Sequence, residues 1–193
     1  MGNLHINDIH EFYNKLLKQY GKQNWWPIYG NNNQKLEICI GAILTQNTSW
    51  KNVEKVIKIL NERNLINKEK LTKIPTTKLA SLIKSSGYYN QKARKIKEFI
   101  KFLNSNKQVT RENLLKIWGI GKETADSILL YAYNKPYFVI DNYTKKIFSK
   151  LNYCKKDISY DELQELIINN LPKDVNLYKE FHALLVEYGK TLE

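Results

Sequence analysis

Two stretches of the chain carry residue types that could do chemistry. The first is RENLLKIWGIGKETADSILLYAY, residues 111–133. An apolar helical pattern runs to about Trp118, the turn Gly119-Ile120-Gly121 follows, and a second helix is expected from about Lys122. Two glycines around one apolar residue permit positive φ and a tight turn, while Ile120 can pin that turn to a core. The amides at the start of the second helix, with Lys122 beside them, make a natural seat for an anion such as a DNA phosphate. The second stretch is the short β-like run Tyr137–Ile140 followed by Asp141, at the start of another helical pattern. An aspartate there is a good N-cap, and capping would hold its carboxylate rigid and ionised. A fixed carboxylate can stabilise a developing positive charge and can orient or activate an attacking water.

Most of the chain must serve to position these groups, and its pattern is helical nearly throughout. Val53, Val56, Ile57 and Leu60 fall at helical spacing, as do Ala93, Ile96, Ile100 and Leu103. Ala125, Ile128, Leu129 and Ala132 repeat the pattern, as do Tyr143, Ile147, Phe148 and Leu151, then Leu163, Leu166 and Ile167, and finally Val175, Tyr178, His182 and Leu185. Short breaks at Pro75, Gly87, Asn134-Lys135-Pro136 and Leu171-Pro172 separate them. The expectation is an all-α protein of about ten helices.

The 193 residues carry 31 Lys and Arg against 19 Asp and Glu, a net charge of +12, which favours polyanionic partners. Only Cys39 and Cys154 are present, in no paired motif, which fits a reducing compartment and argues against a disulfide framework. No stretch approaches the roughly 18 apolar residues of a membrane span, and the opening MGNLHINDIH lacks the apolar core of a secretory signal. A cytoplasmic protein is expected, nucleoid-associated if prokaryotic. The histidines His5, His10 and His182 are scattered, with no zinc pattern.

LLKIWGIGKETADSIL followed by YFVIDNYTKKIF resembles the helix-hairpin-helix and Gly/Pro…Asp signature of the endonuclease III superfamily of DNA glycosylases. Asp141 stands 20 residues after Gly121, the spacing of that family's catalytic aspartate. LEICIGAILTQNTSWKNVEKVIKIL resembles the family's second helix and the loop after it, and SSGYYNQKARKI its wedge-loop segment. The blocks NWWP, AILTQNT and YNQKA are similar to those of its 3-methyladenine DNA glycosylases. The resemblance implies two helical lobes with a DNA-binding cleft between them. One lobe spans 34–135 and carries the hairpin; the other joins 1–33 to 136–193.

The same resemblance assigns roles. Asp141 becomes the catalytic carboxylate. Tyr88 takes the place of the wedge, and Gln46, beside Asn47, that of a gap-filling side chain, both contacting DNA with Gly119, Ile120, Gly121 and Lys122. Trp25, Trp26, Pro27 and Trp50 become the pocket for the extruded base. Members with lyase activity carry a lysine two residues after the second hairpin glycine, where this chain has Glu123. Water is then the expected nucleophile and strand cleavage should be absent. Family members often hold an iron–sulfur cluster on four cysteines; two thiols cannot make that site, so no cluster, and no other metal or cofactor, is expected. The implied activity is a monofunctional glycosylase for alkylated purines of the 3-methyladenine type, acting as a monomer on double-stranded DNA with damaged bases. The alternatives are an endonuclease III-like glycosylase for oxidised pyrimidines or mismatches, and a non-catalytic helix-hairpin-helix DNA-binding protein.

Overall fold

The computed structural model describes residues 7–31 and 33–192; His5 lies outside the described residues. Its regular elements are helical, with no strand among the described residues. Among the described residues no helix is long and apolar enough to cross a membrane. The chain divides into two compact units: Met1–Trp25 with Asn134–Glu193, and Trp26–Tyr133.

The continuous unit contains α2 (Gln34–Leu44), α3 (Trp50–Glu62), α4 (Lys68–Lys73), α5 (Thr76–Leu82), a 3₁₀ turn at Lys84–Ser86, α6 (Tyr89–Asn104), α7 (Arg111–Leu115) and α8 (Lys122–Ser127). α8 runs on into a π-helical segment, Ile128–Ala132. α2 is the central element, with Ile40, Ile43 and Leu44 sealed from solvent. It packs against α3, α6, α8 and the π-helical segment. The apolar positions Val53, Val56, Ile57 and Leu60 of α3 and Ala93, Ile96 and Ile100 of α6 are all buried, as their spacing predicts. Trp26–Asn33 belong to this unit rather than to the terminal one in which the sequence put them. The cause is local: Trp26 packs on Gly41 of α2, and buried Glu37 accepts hydrogen bonds from the amides of Tyr29 (2.6 Å) and Gly30 (3.1 Å).

The terminal unit contains α1 (Asn7–Tyr20), α9 (Asn142–Lys150), α10 (Tyr160–Asn169) and α11 (Val175–Lys190). α11 packs on both α1 and α9. A Cβ at Gly189 would meet the Tyr143 ring at 2.3 Å, so this glycine is what lets α11 lie close against α9.

Helix ends explain why so few residues connect so many helices. Side chains of Asn33, Asn67, Thr110, Asp141, Ser159 and Asp174 each accept from an amide in the first turn of the helix that follows. Ser159 and Glu162 form a full capping box. At the other ends, asparagine does what glycine often does: Asn47, Asn64, Asn106, Asn134 and Asn152 all take positive φ just after helices.

Candidate active site and DNA-contact elements

In the terminal unit, Phe138, Val139 and Ile140 are buried and lead, without regular structure, into α9. α10 holds that run: Gln164 Nε2 donates to the Phe138 carbonyl (2.5 Å), and the Ile140 amide donates to Tyr160 Oη (3.3 Å). Asp141 then caps α9. Its Oδ1 accepts from Thr144 N (2.7 Å) and Thr144 Oγ1 (2.8 Å). Its Oδ2 lies 3.6 Å from Nε2 of His182 on α11. Burial pushes the Asp141 carboxyl up, but His182 and the Thr144 donors outweigh it, so the group sits below the usual aspartate range and is ionised near neutrality. The chain thus holds a fixed, largely shielded carboxylate, suited to stabilising a developing positive charge.

In the continuous unit, α7 ends at Leu115, three residues earlier than the apolar pattern predicts, because the chain turns back at Ile117–Ile120. The expectation of positive φ holds at Gly119 (φ +81°) and fails at Gly121. Gly121 is extended (φ −92°, ψ −179°), and a Cβ there would meet nothing within 4 Å. Only Gly119 requires glycine for its backbone, since a single left-handed residue suffices to reverse the chain there. Ile120 is buried, while Gly121, Lys122 and Glu123 are exposed at the start of α8. Behind the turn, Arg111 of α7 grips buried Asp126 of α8 with two hydrogen bonds, Nε to Oδ1 (2.7 Å) and one terminal nitrogen to Oδ2 (3.2 Å). Trp118, whose sequence context suggests packing, is 45% exposed, with the Arg94 guanidinium 4.0 Å from its ring centroid.

Gln46 and Tyr88 occupy two loops of this unit. The Gln46 amide nitrogen donates to Thr124 Oγ1 (2.9 Å) and to the Gly119 carbonyl (3.2 Å), and its oxygen accepts from Lys95 Nζ. In this state Gln46 is docked on the hairpin; Asn47 beside it is exposed, with φ +51°. Tyr88 is 66% exposed and left-handed (φ +43°), a strained setting for an aromatic residue. Lys92, buried on α6, ties the two loops together. Its ammonium donates to the carbonyls of Leu44 (2.8 Å) and Ser86 (2.6 Å), each two residues ahead of the loop side chain in question.

The aromatic candidates separate. Trp25 ends the first segment of the terminal unit, whereas Trp26, Pro27 and Trp50 lie in the continuous one. Trp26 and Trp50 meet edge to face at 5.2 Å, and Tyr131 tilts onto Trp26 at 5.2 Å. Trp50 Nε1 donates to Tyr29 Oη at 3.4 Å. Tyr29 and Tyr131 therefore join a nest that only Trp26 and Trp50 announced in the sequence. Glu37 anchors it, accepting from Asn61 Nδ2 (2.8 Å) as well as from the Tyr29 and Gly30 amides.

The two cysteines do not fit a four-cysteine cluster. Cys39 is buried in α2, its thiol pushed up to about 12 by burial, and Cys154 follows α9. Among the described residues no group of three or more His, Cys, Asp or Glu is placed to hold a metal ion.

Residues 40–173 match the HhH-GPD superfamily base excision DNA repair protein family. The chain is 45% identical to MJ1434 of Methanocaldococcus jannaschii, provisionally named a DNA repair glycosylase, over 94% of this chain and 87% of that protein. It is 31% identical to endonuclease III of Thermotoga maritima, over 80% and 73%. Among solved structures, a 3-methyladenine DNA glycosylase of H. pylori bound to 1,N6-ethenoadenine superposes with a TM-score of 0.79 at 32% identity, covering 97% of this chain and 96% of that one. An endonuclease III–DNA covalent intermediate shares the fold, with a TM-score of 0.85 at 22% identity and 97% and 87% coverage. On the family match over residues 40–173 and the 45% identity with MJ1434, the chain belongs to the HhH-GPD superfamily and is a base excision DNA repair glycosylase.

Proposed function

We propose that this glycosylase is monofunctional and releases alkylated purines of the 3-methyladenine type from double-stranded DNA. The observation that carries the reading is the nest of Trp26, Tyr29, Trp50 and Tyr131. An N3-methylated adenine is cationic, and aromatic faces attract a cation by about 0.5–2 kcal/mol beyond what its neutral parent gains. Such a base is already a good leaving group, so ionised Asp141 suffices without a strong acid. The 32% identity with a 3-methyladenine glycosylase across nearly the full chain supports the same substrate class.

In this reading, the hairpin from Gly119 to Lys122 grips the backbone, Tyr88 enters the duplex, and Gln46 leaves the hairpin to fill the gap with Asn47 alongside. The target nucleotide swings into the aromatic nest, at an unstacking cost of a few kcal/mol. Trp26 with Pro27 and Trp50 stack on the base; Trp25, in the other unit, is the weakest pocket candidate. Glu123 stands at the second residue of α8, where lyase relatives place their lysine, and no Schiff base can form on a carboxylate. No iron–sulfur cluster is invoked.

Base release from methylated, oxidised and mismatched duplexes tests the proposal. 3-Methyladenine should be freed far faster than adenine, and borohydride should trap no protein–DNA adduct at an abasic site. Release of oxidised pyrimidines with none of 3-methyladenine would instead favour the endonuclease III-like reading, which the 31% identity with a Thermotoga endonuclease III keeps in view.

A further inference from the structure

Asp141 uses its two oxygens differently. Oδ1 accepts both Thr144 donors and serves the α9 cap. Oδ2 faces Nε2 of His182, 3.6 Å away. The two side chains are withdrawn from water, His182 to 7% exposure and Asp141 to 15%. They come from distant parts of the chain and meet because α11 lies close on α9, an approach that Gly189 permits against Tyr143.

We propose that His182 is a positioning residue for glycosidic bond hydrolysis, fixing Oδ2 of Asp141 as the oxygen that meets the reacting sugar and its water. The proposal rests on the reading of Asp141 as the catalytic carboxylate. The C1′–N bond breaks and its electron pair leaves with the base, cancelling the positive charge of a methylated purine. A water oxygen bonds to C1′, and the proton it sheds goes to the Asp141 carboxylate. Oδ1, already holding two donors within the helix cap, is badly placed to take that proton, so the task falls to Oδ2. The Thr144 contacts alone secure only Oδ1; a second point is needed to fix the plane of the carboxylate. His182 supplies it. At 3.6 Å the contact is electrostatic rather than a short hydrogen bond; it holds Oδ2 toward α11, and the oxygen's lone pairs stay open to the water.

A merely structural histidine would fill space between α9 and α11, and phenylalanine would fill it nearly as well. The test is single-turnover release of 3-methyladenine, with binding to an abasic-analogue duplex measured in parallel. His182→Phe should slow release by about tenfold to a hundredfold, the scale of a misplaced catalytic group, with binding unchanged. His182→Gln, which carries an amide near the place of Nε2, should recover most of the rate, and His182→Asn, whose shorter amide falls short of Oδ2, should not. In an Asp141→Asn background, His182→Phe should cost nothing further, because the group it positions is gone. The proposal is overturned if His182→Phe keeps the wild-type rate, or if it slows the Asp141→Asn enzyme by the factor seen in wild type. Should the Phe variant not fold, equal rates for the Gln and Asn variants overturn it as well. Asp141→Asn at the wild-type rate is a separate outcome: it removes the reading of Asp141, and the proposal with it.

Discussion

Arg111 and Asp126 clasp the two legs of the hairpin from behind, with both oxygens of the carboxylate engaged. Asp126 has a fully buried side chain, whereas that of Arg111 is 23% exposed. The pair is thus fixed geometry for the turn it supports, and its two halves respond differently to loss. Arg111→Met strands a buried carboxylate and should destabilise the protein by about 3 kcal/mol, near the lower end for breaking a buried pair because Arg111 is part-exposed. Adding Asp126→Leu should restore part of that loss, since an apolar pair needs no desolvation. Urea unfolding of the single and double variants measures both; a single variant as stable as wild type would mean the clasp is only a surface ion pair.

The two hairpin glycines should part company on substitution. Gly119 needs its left-handed backbone, and a Cβ there would also press on the Lys95 stem at 2.6 Å. Gly119→Ala should therefore cost about 1–2 kcal/mol and, by shifting Lys95, loosen its hold on Gln46. Gly121 is extended and open, so Gly121→Ala should leave stability within about 0.5 kcal/mol of wild type. If Gly121→Ala nevertheless weakens binding to damaged and undamaged duplexes alike, its methyl group is obstructing the phosphate. Unchanged affinity would place the backbone grip elsewhere on the hairpin.

How much of this was legible in sequence depends on the distance between partners. Spacing alone identified α3 and α6, because one face of each is apolar and the other is not. It could not find the π-helical turn at Ile128–Ala132, because the stripe Ala125, Ile128, Leu129 and Ala132 reads as an ordinary α-helix, while Leu130 and Tyr131 outside that stripe are buried as well. Glycine and proline mark helix ends in a sequence more plainly than asparagine does, although Asn64, Asn106 and Asn152 do the same work here. Asp141 could be picked out because its cap position is local and its spacing from the hairpin resembles that of the family's aspartate. Its neighbour His182 lies on another helix 41 residues on, at an ordinary apolar-stripe position. Glu37 reads as one charge at the start of a helix, and only the folded chain shows it holding Tyr29, Gly30 and Asn61.

The carboxyl of Asp141 also ties stability to acidity. Burial alone would raise it, yet His182 and Thr144 hold it below the ordinary value. Its stabilising contribution is complete above the unfolded value of about 3.9 and is lost as pH falls through the lower folded value. The difference in unfolding free energy between wild type and Asp141→Asn should drift against the wild type as pH falls below about 4. Denaturation across that range reads the effect. A difference that stays flat down to about pH 2 would show that Asp141 gains nothing from its partners in the fold.

Glu37 offers the sharpest test of the aromatic nest, because it touches the backbone that carries Tyr29 and not the base. Its carboxylate accepts three donors, from Tyr29, Gly30 and Asn61. Glu37→Gln keeps the shape but turns one acceptor into a donor facing other donors. One buried pairing must break, at about 1–3 kcal/mol, and the Tyr29 segment should loosen. Tyr29 Oη then no longer braces the Trp50 indole, which it meets at 3.4 Å. Release of 3-methyladenine should fall several-fold at saturating enzyme, while binding to an abasic-analogue duplex, which offers no base to stack, should hold. Tyr29→Phe separates brace from filler: it keeps the ring and removes only the hydroxyl. If Tyr29→Phe reproduces part of the Glu37→Gln loss, the chain of contacts from Glu37 through Tyr29 to Trp50 sets the pocket; if both variants release the base at the wild-type rate, Trp50 needs no brace from Tyr29.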